Sequence, residues 1–131
     1  MNRRPADRGA TTVELAMYTP ILFFVLFLTV QVALLFLGNQ AASAAAREAA
    51  RVARSSDLSP DALGLAEEQG LQYAATVGHG LIEDVDVQIE VDGDQVRATV
   101  TAHGIQLVPG VPGGDVTQVA QGPVEEFRPD Q

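Results

Sequence analysis

The chain has 131 residues, enough for one small domain and an anchor, and its net charge at pH 7 is −9. It contains no cysteine, which excludes disulfides and cysteine-based zinc sites, and all eight of its basic residues are arginines. This acidic balance argues against nucleic-acid binding, because phosphate recognition needs a positive surface.

The first predicted element is a transmembrane helix. Residues Leu15 to Leu37 form 23 consecutive positions without a charge. A helix of that length spans roughly 34 Å, enough to cross a hydrocarbon core of about 30 Å. The segment before it contains Arg3, Arg4 and Arg8. The positive-inside rule therefore predicts a cytoplasmic N-terminus and an extracytoplasmic C-terminal part.

A cleaved secretory signal is the alternative interpretation of this segment. Ala42-Ser43-Ala44 has the small residues of a signal-peptidase site, but the apolar run exceeds the roughly 7–15 residues usual for such a signal. Pro20 and Gln31 lie within the run and do not forbid spanning. The proline frees the carbonyl of Ala16, which we expect Thr19 or a neighbouring helix to satisfy.

A single carboxylate, Glu14, precedes the apolar run. One interpretation is local, because a carboxylate near a helix N-terminus interacts favourably with the helix dipole. Thr11 and Glu14 would then form a capping box of the S/T-x-x-E type. The other interpretation includes Gly9 and Ala10. Basic residues, a glycine, a glutamate five positions later and an apolar helix follow one another in that order.

That order resembles the class III signal of type IV pilin-like proteins. In such proteins a membrane peptidase cuts after the glycine on the cytoplasmic side and leaves the apolar helix attached. The resemblance implies a scissile bond between Gly9 and Ala10, although Ala10 departs from the aromatic residue or Met usual at that position. It also implies that Glu14 pairs with the new amine of a neighbouring subunit and sets the register of assembly.

A longer string is more specific than the glycine and glutamate alone. It consists of RGATTVELAMYTP, a run of Leu, Phe and Val, and then NQAASAAAREAARVAR. Together these segments resemble the TadE-like family of tight-adherence pilus proteins. Near the end of the chain, LVPGVP and GPVEEFRP resemble the tail of some members, so the resemblance covers most of the chain.

The helix is predicted to continue past the apolar run, because the next segment is rich in alanine, the best helix former. Ala41, Ala45 and Ala49 recur every four residues and form a face that another helix can approach closely. Two interpretations of this face stay open, a helix-packing surface in a bundle of subunits or a solvated helical stalk. On another face, Glu48 is predicted to pair with Arg51.

A second helix is predicted after a loop that begins at Ser55. Ser59 is the expected N-cap and Pro60 the first helical residue. Small and apolar residues at helical spacing then indicate one packed face, and Gly78 or Gly80 would end the helix. The residues of this face are Leu63, Ala66, Gly70, Ala74 and Val77.

The strongest strand signal is VDVQIEVDGDQVRATVTA, in which apolar and polar residues alternate. A turn centred on Gly93-Asp94 places Val91 opposite Val96, and apolar residues face one another along the whole hairpin. A turn centred on Asp92-Gly93 would set apolar residues against polar ones. The first register is therefore predicted, with either a type II′ turn or a four-residue loop that keeps the same pairing.

The rest of the chain is predicted to complete a small sheet. An extension of the second strand through Ile105 to Leu107 fits the pattern, and PGVPGGD is a turn-rich connection. Val116 to Gln121 is the expected third strand, and Pro123 limits any partner on one side. The unit would be a helix laid on a three- or four-stranded antiparallel sheet with a small core.

The predicted fold class is α+β, with a long N-terminal transmembrane helix that continues into a stalk and then a small helix-on-antiparallel-sheet domain. The expected divisions are a basic cytoplasmic leader (residues 1–9), the transmembrane and membrane-proximal helix (residues 10–56) and an extracytoplasmic domain (residues 57–131). The expected location is the cell membrane, with a single pass.

We predict no catalytic, metal or cofactor site. Asp86, Glu90 and Asp92 share the polar face of a strand, and their spacing does not fit an EF-hand loop, so a solvated surface is favoured. His79 and His103 lack the spacing of a zincin helix and are expected at the surface. The sequence has no nucleophile elbow, phosphate loop or dinucleotide fingerprint.

The resemblance implies a minor pilin-like protein, or pseudopilin, of a bacterial tight-adherence (Flp, type IVc) pilus or secretion apparatus. Such a protein acts in assembly and does not form the bulk of the filament. The implied partners are other pilins and pseudopilins, the inner-membrane assembly platform, the prepilin peptidase and membrane lipid, with no nucleic acid. The competing interpretation is a simple membrane-anchored extracytoplasmic binding module with no pilus role.

Overall fold

The computed structural model describes residues 6–125, with side chains from residue 11 onward. The three strands form one antiparallel sheet in the order β1-β2-β3. Two helices and this sheet confirm the predicted α+β fold class. The elements are α1 (Ala6–Arg54), α2 (Pro60–Val77), β1 (Ile82–Asp92), β2 (Gln95–Gly104) and β3 (Asp115–Pro123).

The hairpin of β1 and β2 has the predicted register. Gly93 and Asp94 form a two-residue turn between the paired residues Asp92 and Gln95. Gly93 has a φ of 61°, whereas Asp94 lies outside the left-handed region, as a type II′ turn requires. Apolar residues therefore face one another on the inner side of the sheet. The pairs are Val91–Val96, Ile89–Ala98 and Val87–Val100.

The capping residues of α2 are also those predicted. The Ser59 hydroxyl accepts a hydrogen bond from the Ala62 N–H at 3.3 Å, and Pro60 is the first helical residue. Gly78 is the C-cap, and its N–H donates to the Ala74 carbonyl at 2.7 Å. On the predicted face of α2 the three small residues are fully buried, because they lie against α1 and the sheet. These are Ala66, Gly70 and Ala74.

The second strand ends at Gly104, so the suggested extension through Ile105 to Leu107 is wrong. The Gly104 N–H donates to the Gly114 carbonyl at 2.9 Å. A Cβ on Gly113 would lie 1.6 Å from the Gly104 carbonyl oxygen, which shows how closely the two backbones meet. The backbone before β3 therefore packs against the end of β2, the central strand, and residues between them form a loop.

The last third of α1 forms part of the domain core. Its alanines pack against α2 and against the inner face of the sheet, where Val87, Val100 and Val116 are buried. A Cβ on Gly70 of α2 would lie only 2.9 Å from the Cβ of Ala49. Small residues on both helices permit this close approach. The buried alanines of α1 are Ala41, Ala42, Ala45, Ala46, Ala49, Ala50 and Ala53.

Neither interpretation of the alanine face describes this arrangement. Ala41, Ala45 and Ala49 face the interior of their own domain, so they lie neither against another subunit nor in solvent. The physical reason is the small size of the domain, because the valine-rich face of the sheet needs a wider apolar cover than α2 provides. The alanine face of α1 supplies that cover.

Candidate membrane and assembly surface

The largest exposed feature of the described chain is the apolar surface of the first part of α1. Most large apolar side chains from Val13 to Leu37 are between 37% and 69% exposed, and Leu34 and Leu35 are half-buried. A continuous exposed apolar surface of this kind marks an interaction site or a membrane contact. The stretch Thr11–Arg54 has a maximum mean hydropathy of 2.7, and only 11% of that most apolar window is buried. By length and composition, α1 is a candidate single membrane span.

Two threonines inside the apolar segment bond to the helix backbone. The Thr19 hydroxyl donates to the Leu15 carbonyl at 2.6 Å, and the Thr29 hydroxyl donates to the Val25 carbonyl at 2.8 Å. Bonds of this type satisfy hydroxyl donors where no water is present. Thr19 is therefore not the partner of the Ala16 carbonyl, since its hydroxyl bonds one residue further back, and the alternative of a neighbouring helix stays a prediction. The helix nevertheless continues through its proline.

Among the side chains that the structure describes, Gln31 is the one buried polar residue, and it joins α1 to the loop after β2. Its side chain is 4% exposed. Nε2 donates to the Ile105 carbonyl at 2.8 Å, and Oε1 accepts the Leu107 N–H at 2.7 Å and the Val108 N–H at 3.4 Å. The sequence identified Gln31 only as a tolerated polar residue, because nothing in its local pattern points to partners more than 70 residues away.

Two further polar side chains connect α1 to β3. The Gln118 amide donates to Asn39 Oδ1 at 2.8 Å, and Asn39 Nδ2 in turn donates to the Leu35 carbonyl at 2.9 Å. Arg54 Nε donates to the Pro123 carbonyl at 2.8 Å. With Gln31, these contacts fix the domain against the helix at three levels.

The predicted pair of Glu48 and Arg51 is present on the outer side of α1. Arg51 Nη2 lies 2.6 Å from Glu48 Oε1, and Arg51 Nε donates to Oε2 at 3.0 Å. These hydrogen bonds from the guanidinium hold the pKa of Glu48 below its usual value. The pair stabilises the helix locally.

Glu14 lies exposed on α1, near the start of the apolar surface. Because α1 begins at Ala6, Thr11 lies within the helix and the capping-box interpretation is wrong for this chain. Gly9 and Ala10, the predicted processing site, have a helical backbone. The structure describes side chains only from residue 11, so the contacts of these two residues are outside its described part. The basic leader before Ala6 and the end of the GPVEEFRP tail also lie outside the described residues.

The acidic side chains of the hairpin face solvent. Asp86, Glu90 and Asp92 are all exposed, and Glu90 and Asp92 border an open polar depression of about 380 Å³ beside Arg97. His103 Nδ1 lies 2.9 Å from Asp115 Oδ1 on the same outer face. Among residues 6–125, no group of three or more His, Asp and Glu side chains is arranged to hold a metal ion.

The structure defines a class of protein, one with a single candidate membrane span whose helix also completes the core of a small α+β domain. The family model described as TadE-like protein matches residues 9–51. This match confirms the predicted resemblance over that segment, about a third of the chain, and does not extend to the predicted tail resemblance at LVPGVP and GPVEEFRP. It covers Glu14, the apolar run and the alanine face, but neither α2 nor the sheet. No curated protein and no solved structure matches the chain significantly.

Proposed function

We propose that this chain is a minor pilin-like protein of a tight-adherence pilus or secretion system, acting in assembly. The observation that carries the proposal is that the family-matched segment is an exposed apolar helix built into a small domain at its far end. Such a subunit offers an apolar surface for lateral packing within the membrane and a rigid connection to its domain. The proposed partners are other pilins, the inner-membrane platform and the prepilin peptidase.

Retention of the apolar helix is supported by its place in the core. Cleavage after Ala44 would remove Ala41 and Ala42, which are 6% and 0% exposed, from the interior of the domain. It would also remove the contacts that Gln31 and Asn39 make with the rest of the chain. A cut at Gly9 leaves all of these contacts in place. These contacts therefore support retention of the apolar run over secretion.

Orientation follows from charge. The arginines before the apolar run support a cytoplasmic N-terminus by the positive-inside rule, with the acidic domain on the other side of the membrane. In this orientation Glu14 lies at the cytoplasmic edge of the span. A carboxylate costs about 2.5–3.5 kcal/mol at a helix centre in the membrane and less near the interface. The amine created at Ala10 of a neighbouring subunit would offset that cost by pairing.

Replacing Glu14 with alanine tests the proposed assembly role. We expect Glu14→Ala to insert normally, because it removes a charge from the edge of the span. We expect surface pili, counted by electron microscopy, to fall about tenfold, which corresponds to the loss of about 1.4 kcal/mol in a subunit contact.

Glu68→Ala is the matched control, since it removes the same carboxylate from α2, away from the apolar surface. Glu68 is exposed, so its truncation leaves the fold intact. Piliation near the unmodified level is expected for this variant. Unchanged piliation in Glu14→Ala as well would contradict the register role and would favour a membrane-anchored binding module.

A further inference from the structure

We propose that the loop from Ile105 to Pro112 is a second membrane-contacting element, inserted beside α1 in the leaflet next to the domain and fastened there by Gln31. The proposal rests on the membrane location given under Proposed function, and it is independent of any role in pilus assembly. Its occupant is lipid, and the contact is an apolar groove shared by the loop and the helix.

The chemistry of the loop suits a bilayer. Residues 104–114 read GIQLVPGVPGG and carry no charge. His103 and Asp115 flank this segment and approach each other to 2.9 Å, Nδ1 to Oδ1. The charged surface of the sheet thus ends where the uncharged loop begins. This pair would lie near the headgroups, with the loop below it.

Four of the six backbone N–H groups in residues 105–112 have partners in the structure, which lowers the cost of placing this segment against hydrocarbon, where every backbone polar group needs a partner. The Gln31 amide binds one carbonyl and two N–H groups of the loop, and Gln106 Nε2 donates to the Val108 carbonyl at 3.1 Å. Pro109 and Pro112 have no N–H to satisfy. The backbone donors with partners in the structure are those of Ile105, Leu107, Val108 and Val111.

The loop lies along the apolar part of α1. Val108 is buried, and it lines an apolar groove of about 180 Å³ together with Leu107, Pro109 and the side chains of Phe24 and Phe27. Leu107 is 39% exposed at the edge of this groove. The start of β3 contacts α1 nearer the C-terminal end of the helix, where a Cβ on Gly114 would lie 3.2 Å from Leu35. Leu35 and Phe24 are roughly 16 Å apart along the helix axis, so the loop extends that far towards the N-terminal end of α1.

The level of the loop relative to the bilayer follows from the helix. A hydrocarbon core of about 30 Å that begins at Leu15 ends roughly 20 residues later, near Leu34. Phe24, Phe27 and Gln31 all lie within that interval. A bilayer that covers the exposed apolar side chains of α1 therefore also reaches the loop that packs against them. Lipid is therefore the proposed occupant of the groove, because the same acyl chains would contact the apolar side chains of both the loop and the helix.

The absence of cysteine from the sequence makes single-cysteine labelling unambiguous. The full chain carrying Leu107→Cys would be labelled with a polarity-sensitive fluorophore and reconstituted in vesicles of phosphatidylcholine and phosphatidylglycerol. We expect several-fold stronger quenching by nitroxides on the lipid acyl chains than by aqueous iodide. Leu22→Cys, within the span, should behave likewise, and Thr101→Cys, on the outer face of β2, should show the opposite preference.

Three outcomes would overturn the proposal, and they are distinguishable. If Leu107 is quenched by iodide while Leu22 is quenched by lipid, the loop lies in water although the helix spans. If Leu22 is not quenched by lipid, the membrane location itself fails. If Leu107 is shielded from both quenchers at high protein density and reaches iodide on dilution in lipid, a second copy of the chain covers the groove.

The role of Gln31 is tested with the same probe. Gln31→Leu removes the amide that binds the loop backbone, and the lipid quenching of Leu107 should fall severalfold as the loop detaches. Gln40→Leu is the matched control, because Gln40 lies on the same helix with its side chain exposed. Unchanged quenching in Gln31→Leu would overturn the fastening role, as would an equal loss in Gln40→Leu.

Discussion

Replacing Gly70 with leucine is expected to destabilise the α+β domain by about 2–3 kcal/mol, the cost of overpacking a close-packed core. Even a Cβ at this position would lie 2.9 Å from the Ala49 Cβ and 3.1 Å from Val87 Cγ1. Helix α1, helix α2 and β1 meet there, so no single side chain can move aside without displacing another element. Thermal unfolding of the full chain in detergent should show a midpoint lowered by roughly 10 °C or more.

Gly64→Ala is the matched control on the same helix. A Cβ at Gly64 meets nothing within 4 Å, and its φ is not positive. Alanine in a helix interior is favoured over glycine by about 0.5–1 kcal/mol, so this variant should be slightly more stable than the original chain. Opposite signs for the two glycines are expected. Equal or neutral effects would show that α1 and α2 do not meet at Gly70.

Replacing Val100 with aspartate is expected to unfold the sheet. Val100 is fully buried in the middle of β2, facing the alanines of α1. A carboxylate there has no charged partner, and burying it costs several kcal/mol, a large part of the roughly 5–15 kcal/mol that stabilises a typical domain. Limited proteolysis of the full chain in detergent should degrade residues beyond α2 rapidly while the apolar part of α1 survives.

Thr101→Asp places the same carboxylate one residue further along β2. Thr101 is exposed on the opposite face of the sheet, and repulsion from Asp86 across the hairpin costs at most about 1 kcal/mol, so the resistance of the domain to protease should change little. Equal sensitivity of the two variants would mean that the inner face of the sheet is not covered by α1.

Local patterns predicted the parts of the fold that depend on neighbouring residues. Strict alternation around Gly93 determined the hairpin register, because a slip of one residue would expose every inward valine. Ser59 and Pro60 marked the start of α2 through capping chemistry that acts over a single turn. The candidate span was also predictable, because an uninterrupted apolar run is itself a local pattern, and the family match covers the same segment.

The contacts between α1 and the domain were not predictable, since each joins positions far apart in sequence. Ala45 has the same small side chain whether it faces another subunit, solvent or a sheet, so its spacing alone could not choose among them. Gln31 resembles an ordinary polar residue in a membrane helix until Ile105 and Leu107 are placed beside it. The sequence offered one signal for this contact, a glutamine within an apolar run together with an uncharged, proline-containing loop elsewhere in the chain.

The mass of the mature chain in the washed membrane fraction tests the central claim most directly. A processed pilin-like subunit has its N-terminus at Ala10 and keeps the whole apolar run, so intact mass and N-terminal peptides should both begin there. An uncut chain that starts at Met1 would contradict processing. A soluble product that starts near Ala45 would contradict both processing at Gly9 and retention of the helix.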